Sequence, residues 1–267
     1  MMKQYRFISI FLTVLALVSM SRDVSAQIFA TPSMDNISKT LIRMGALDFN
    51  KDRTIDLYAR VTKCALVMKH YQNDFEWEKV RKELRDEIRR EIVTFPVGYA
   101  YDTPVKLGNY DFDRKLYTFV GQGGEINVNT FSMVTADKNF CAERKQYWLP
   151  TNYQLVLRNP VKLPGLFMLE DDGRDLLKRL NQAGNTTHII FMRVNVRVVF
   201  VAGIATSDEI KAQKNKRVMD KLTDAKAVVL QNIKSDTIRL DSELDSIEFY
   251  EDEAHTKLIY TYRPYEY

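Results

Sequence analysis

Between Asn36 and Phe95 the apolar positions recur every three or four residues, and beyond Pro96 the period falls to two. Ile37, Leu41, Ile42 and Met44 mark a short amphipathic helix that Gly45 breaks. A second helix is predicted from Thr54 to Tyr71, with Ile55, Tyr58, Val61, Cys64, Ala65 and Met68 apolar around much of its girth. Such a helix belongs at the centre of this region. Asn73-Asp74 supplies an N-cap for a third, Phe75 to Val93, whose stripe is Trp77, Val80, Leu84, Ile88 and Ile92. The rest of that helix is charged, with Glu83 and Glu87 placed to reach nearby arginines. It reads as a solvated face, with docking of a partner of complementary charge as the alternative.

Val105 and Leu107, Tyr110 and Phe112, and then Tyr153, Leu155 and Leu157 alternate with polar residues. Gly121-Gln122-Gly123-Gly124 and Pro164-Gly165 are turns by composition. Glu170 to Leu180 reads as a short helix with Leu176, Leu177 and Leu180 inward and Gly184 to end it. The clearest strand puts Ile190, Met192, Val194, Val196, Val198, Phe200 and Ala202 on one face and Arg193, Asn195 and Arg197 on a wetter one. A basic stretch, Lys211 to Lys221, is helix or loop. Strands are predicted at Ala227–Ile233, Thr237–Leu240 and Ile247–Tyr250, the last pairing with Leu258–Tyr262 across Glu251 to His255. The expected class is α+β: a helical region over 27–96, then a mostly antiparallel, β-rich region over 97–267 with one or two short helices. Whether 27–267 forms one domain is left open. Strands do not alternate with regular helices, which disfavours doubly wound sheets and TIM barrels.

Composition narrows the class. The 267 residues are 45% apolar and 28% charged, enough apolar surface to exclude disorder, and two cysteines exclude a small disulfide scaffold. The first 26 residues read as an address. Lys3 and Arg6 precede an apolar run from Phe7 to Met20, and Val24-Ser25-Ala26 offers small residues to a signal peptidase. The run is shorter than the about 20 residues that span a bilayer, and no later segment is apolar enough to do so. The expectation is export, with a mature chain starting at Gln27 and no membrane span after cleavage. Loss of Lys3, Arg6, Arg22 and Asp23 lowers the net charge from +4 to +2. That near-balance gives little drive towards nucleic acid. Cys64 and Cys141 both survive cleavage and are expected to pair in an oxidising compartment, most simply a bacterial periplasm.

The stretch from Tyr110-Asp111-Phe112 through Asn159-Pro160-Val161-Lys162-Leu163-Pro164-Gly165-Leu166 resembles an exported bacterial family known only as a domain of unknown function. The resemblance implies export and a shared fold, and it brings no activity or site residue with it.

Candidate chemistry is sparse. Asp48, Asn50, Asp52, Thr54 and Asp56 have the oxygen spacing of an EF-hand-type calcium loop. Arg53 stands where glycine should allow the turn, and Ala59 where a carboxylate should close the shell; a polar turn with Asp52 or Thr54 as helix cap is the simpler reading. His70, His188 and His255 lack zinc spacing, and His188 is expected partly buried at the start of a strand. Nucleophile motifs are absent. Glu170, Asp171 and Asp172 could do acid–base work, or simply favour a helix N-terminus. Aromatic clusters, Tyr99 to Phe119, Tyr147 to Tyr153 and Phe249 to Tyr267, suit core packing and leave some rings for a ligand or partner. No metal site, no cofactor and no catalytic residue is assigned. The expected function is a non-catalytic binding role towards a protein or an envelope polymer, the alternative a periplasmic hydrolase using carboxylates such as Glu170 or Asp172.

Overall fold

A computed structural model describes residues 29–121, 124–134, 141, 152–204 and 237–264. The expected leader of residues 1–26, the basic stretch 211–221, the predicted strand 227–233, and Tyr147 and Trp148 lie outside the described residues.

Helices come first: α1 (Met34–Arg43), α2 (Asp52–Thr62), α3 (Cys64–His70) and α4 (Asp74–Glu91), which runs into a 3-10 turn at Ile92–Thr94. Ser33 caps α1, and Gly45, at φ +72°, turns the chain out of it. The Asn73 side chain accepts from the backbone of Phe75 and Glu76, as the polar pair before α4 predicts. The stripe of Trp77, Val80, Leu84 and Ile88 is buried.

The predicted 54–71 helix is two helices. Thr62 Oγ1 donates to the Tyr58 carbonyl, and Lys63 leaves the helical region of φ/ψ space. That break resets the phase, so Val67 is buried while Cys64, Ala65 and Met68 of the predicted stripe are exposed. Neither Asp52 nor Thr54 caps α2; Lys51 holds the N-cap position without a side-chain bond. Glu87 pairs with Lys63 at 2.7 Å and not with an arginine.

The strands are β1 (Gly98–Asp111), β2 (Leu116–Phe119), β3 (Ile126–Val134), β4 (Asn152–Leu163), β5 (Leu166–Phe167), β6 (Ile189–Ile204), β7 (Thr237–Tyr250) and β8 (Leu258–Tyr262), with α5 (Glu170–Gln182) before β6. Their order is β3-β4-β7-β6-β1-β2-β5, and β8 pairs with β7. Every pairing is antiparallel except β4 with β7. Thr237–Leu240 and Ile247–Tyr250, two strands by sequence pattern, are the ends of the single strand β7.

The sheet curls. Tyr101 of β1 stacks on Phe131 of β3, 4.4 Å between ring centroids, although three strands separate them along the sheet. One contiguous core joins the inner face of this sheet to the stripes of α1, α2, α4 and α5. α1 is fixed by polar contacts: Thr40 Oγ1 donates to Pro96 O at 2.6 Å, and Tyr99 Oη to Asn36 O at 3.0 Å. On β6, Ile190 through Val198 keep the predicted inward alternation. A bulge between Val198 and Phe200 then adds one residue, so Phe200 faces solvent and Val201 turns back towards the core.

Candidate functional site

The cysteines meet. Cys64, exposed at the start of α3, and Cys141 form a disulfide with Cα atoms 5.1 Å apart, tying the helical region to the connection between β3 and β4.

The oxygen side chains of the candidate calcium loop do not converge. Asp48 accepts from the backbone and side chain of Asn50. Asp56 takes the Trp77 indole at 2.8 Å and the Arg81 guanidinium at 2.8 and 2.7 Å, while Asp52 pairs with Arg81 and Arg85. These carboxylates are occupied in joining α2 to α4. Among the described residues no group of three or more His, Cys, Asp or Glu side chains comes together to hold a metal ion.

Glu170, Asp171 and Asp172 are exposed in the first turn of α5, where Arg174 approaches Glu170 at 2.7 Å and Asp171 at 3.8 Å. None of the three lines the cleft described next. His188 is partly buried just before β6, with φ +54°.

A second polar constellation lies on the outer face of the sheet. Register places Asp102 of β1 beside Arg193 of β6, and Arg193 beside Glu248 of β7. Because strand neighbours alternate faces, this row points away from the inner row of Tyr101, Val194 and Ile247. Arg193 grips Asp102 bidentately, Nε to Oδ1 at 2.8 Å and Nη2 to Oδ2 at 3.0 Å. That guanidinium holds the Asp102 carboxyl below the usual carboxylate range and is itself raised by the pair.

His255 enters from the turn between β7 and β8. Asp252 organises that turn, accepting from the backbone of Thr256 and Lys257, and His255 adopts φ +56°. Its ring sits with Nδ1 3.1 Å from Arg193 Nη2 and Nε2 3.4 Å from Asp102 Oδ1, edge-on to Tyr250 at 4.8 Å. Tyr250 donates to Glu248 Oε2 at 2.6 Å; burial and then the adjacent carboxylate push its phenol up to about 12.

Beside this row opens a cleft of about 460 Å³. One wall is Phe29, Thr31 and Pro32, held along β1 by the bridge from Ala30 to Tyr99; Asp102, Arg193, Asn195 and Glu248 form the polar side. Asn195 is only 3% exposed, and its Nδ2 donates to Ser246 Oγ at 2.9 Å while its Oδ1 has no partner. On the inner face the buried Tyr101 hydroxyl has none either, and burial raises its pKa.

Chemically, Arg193 and Asp102 neutralise each other, and the buried His255 Nε2 makes no hydrogen bond. The imidazole nitrogen that a nucleophilic triad would point at a hydroxyl faces a guanidinium donor, an arrangement that prepares no nucleophile. The sequence pattern marks Arg193 and Asn195 as a wet face and treats His255 as isolated. It does not bring in Asp102, Glu248 and Tyr250, because the register of three strands distant in sequence is what unites them.

A family model described as "Domain of unknown function (DUF4852)" matches residues 50–179, from the end of the polar turn before α2 into α5. No curated protein and no solved structure matches the chain. Among the described residues, no helix is long and apolar enough to cross a membrane.

Proposed function

We propose that this is an exported protein of the bacterial cell envelope with a non-catalytic binding role, and that the cleft beside Arg193 is its contact site. The observation that carries this reading is the pairing of the ionisable groups there. Arg193 is committed to Asp102, Glu248 receives the Tyr250 hydroxyl, and His255 sits between Arg193 and Asp102. A hydrolase needs an available acid or base in a concave site; here Glu170 and Asp172 are exposed on a helix end. The leader pattern of Lys3 to Ala26 and the joined cysteines support an oxidising destination, and the charge balance of the mature chain argues against nucleic acid.

Fractionation of native cells with N-terminal sequencing tests the first half: the protein is expected in the periplasmic fraction beginning at Gln27. A cytoplasmic protein retaining its leader ends the export reading. Crosslinking in the intact envelope, followed by mass spectrometry, tests the second half. Reproducible attachment to one protein or polymer is expected, and its absence removes the binding role.

A further inference from the structure

We infer that the cleft beside Arg193 recognises an uncharged oligosaccharide. This rests on the binding role proposed above and names the ligand chemistry of the same site. Three polar atoms of the sheet-side lining remain unengaged once the internal pairs are drawn. Arg193 Nη1 is a donor, Glu248 Oε1 an acceptor, and neither makes a hydrogen bond among the described residues. The third is Asn195 Oδ1, an acceptor in a side chain 3% exposed, whose amide is already held through Nδ2 by Ser246.

A ligand that suits this set must both donate and accept at closely spaced points. A hydroxyl does both, and a sugar ring carries several in fixed positions. The competing chemistries each leave a conflict. An anion meets the Glu248 carboxylate while Arg193 is already neutralised by Asp102. An ammonium ion meets the Arg193 guanidinium. A purely apolar ligand leaves Asn195 Oδ1 unpaired, as it is without a ligand, and so gains nothing from it.

The remaining wall fits the same ligand. Phe29 and Pro32 add apolar surface to the lining, matching the C–H face that a sugar ring turns away from its hydroxyls. The cleft volume of about 460 Å³ lies in the range of small-molecule sites.

Titration calorimetry on the mature protein purified from its envelope tests the assignment, with maltotriose, cellotriose and chitotriose as probes and spermidine and trigalacturonate as charged controls. At least one neutral trisaccharide is expected to bind, with Glu248→Gln and Phe29→Ala each weakening it about tenfold. Asn195→Ala is expected to weaken it further; Phe29, on the outer wall, keeps the test valid if the buried Asn195 variant fails to fold. Binding of only a charged control overturns the inference, as does trisaccharide binding unaffected by both Glu248→Gln and Phe29→Ala. If no trisaccharide binds, the envelope crosslinking separates the two failures. A protein captured through this cleft leaves the binding role and removes the saccharide, whereas no capture removes both.

Discussion

Two arginine–aspartate clusters lie in different parts of this molecule, and by pairwise geometry they are alike. In the helical region Arg81 forks onto Asp56; on the sheet Arg193 forks onto Asp102. Their surroundings differ. Asp56 also takes the Trp77 indole, with Asp52 and Arg85 alongside, so each charge helps to clamp α2 to α4, and the unpaired Arg85 Nε is buried there. Asp102 and Arg193 border a cleft lined by Asn195, whose buried Oδ1 lacks a partner. An ion pair is therefore a poor pointer to function on its own. Unsatisfied buried polar atoms next to open volume are the better one.

The covalent link between the two regions should give the largest effect. Replacing both Cys64 and Cys141 by Ser removes a bridge with a sequence separation of 77, and such losses cost about 2–5 kcal/mol. For a chain of this size the melting temperature should fall by roughly 5–15 °C. An unchanged melting curve would show that the two regions hold together without it. Next comes Asp56→Ala. It strands the Trp77 indole and leaves Arg81, 21% exposed, with only its longer contacts to Asp52 and Glu78, at an expected cost of about 2 kcal/mol in urea unfolding. Asp102→Ala should cost about 1 kcal/mol or less, because Asp102 is 44% exposed and water can replace it at Arg193. Equal losses at the two sites would erase the distinction between clamp and binding surface.

The legible parts of the molecule were those with a local signal. The stripe from Trp77 to Ile88, the alternation from Ile190 to Val198, the hairpin of β7 and β8, and the α+β class all follow from spacing within one element. The break at Lys63 did not, since nothing in the apolar period announces where a helix divides. The bulge before Phe200 also escaped, because a one-residue insertion is defined only against the partner strand. The candidate site is of this second kind. Arg193 could be placed on a polar face from its own strand, but Asp102 and Glu248 are 91 and 55 positions away in a register set by two other pairings. Asp52 and Asp56 show the converse: their spacing suggested calcium, and the arginines that absorb them lie on another helix.

The smallest effect is a pH dependence, and its sign separates the sheet cluster from an uncoupled surface pair. The Arg193 hydrogen bonds hold the folded-state pKa of Asp102 below its unfolded value, which is roughly 4. Its contribution to stability is therefore complete above that value and is lost as pH falls through the folded-state pKa. Tyr250 behaves oppositely at the alkaline end. Its pKa is raised to about 12, so its contribution is complete below roughly 10 and is lost as pH rises through about 12. Urea midpoints of the wild type and Asp102→Asn should thus differ at pH 5 and above and converge in stronger acid. The wild type and Tyr250→Phe should diverge in no pH range below 9. A gap between the wild type and Asp102→Asn that widens in acid would mean that Arg193 does not hold Asp102 in its charged form, and the charge-paired border of the cleft would lose its basis.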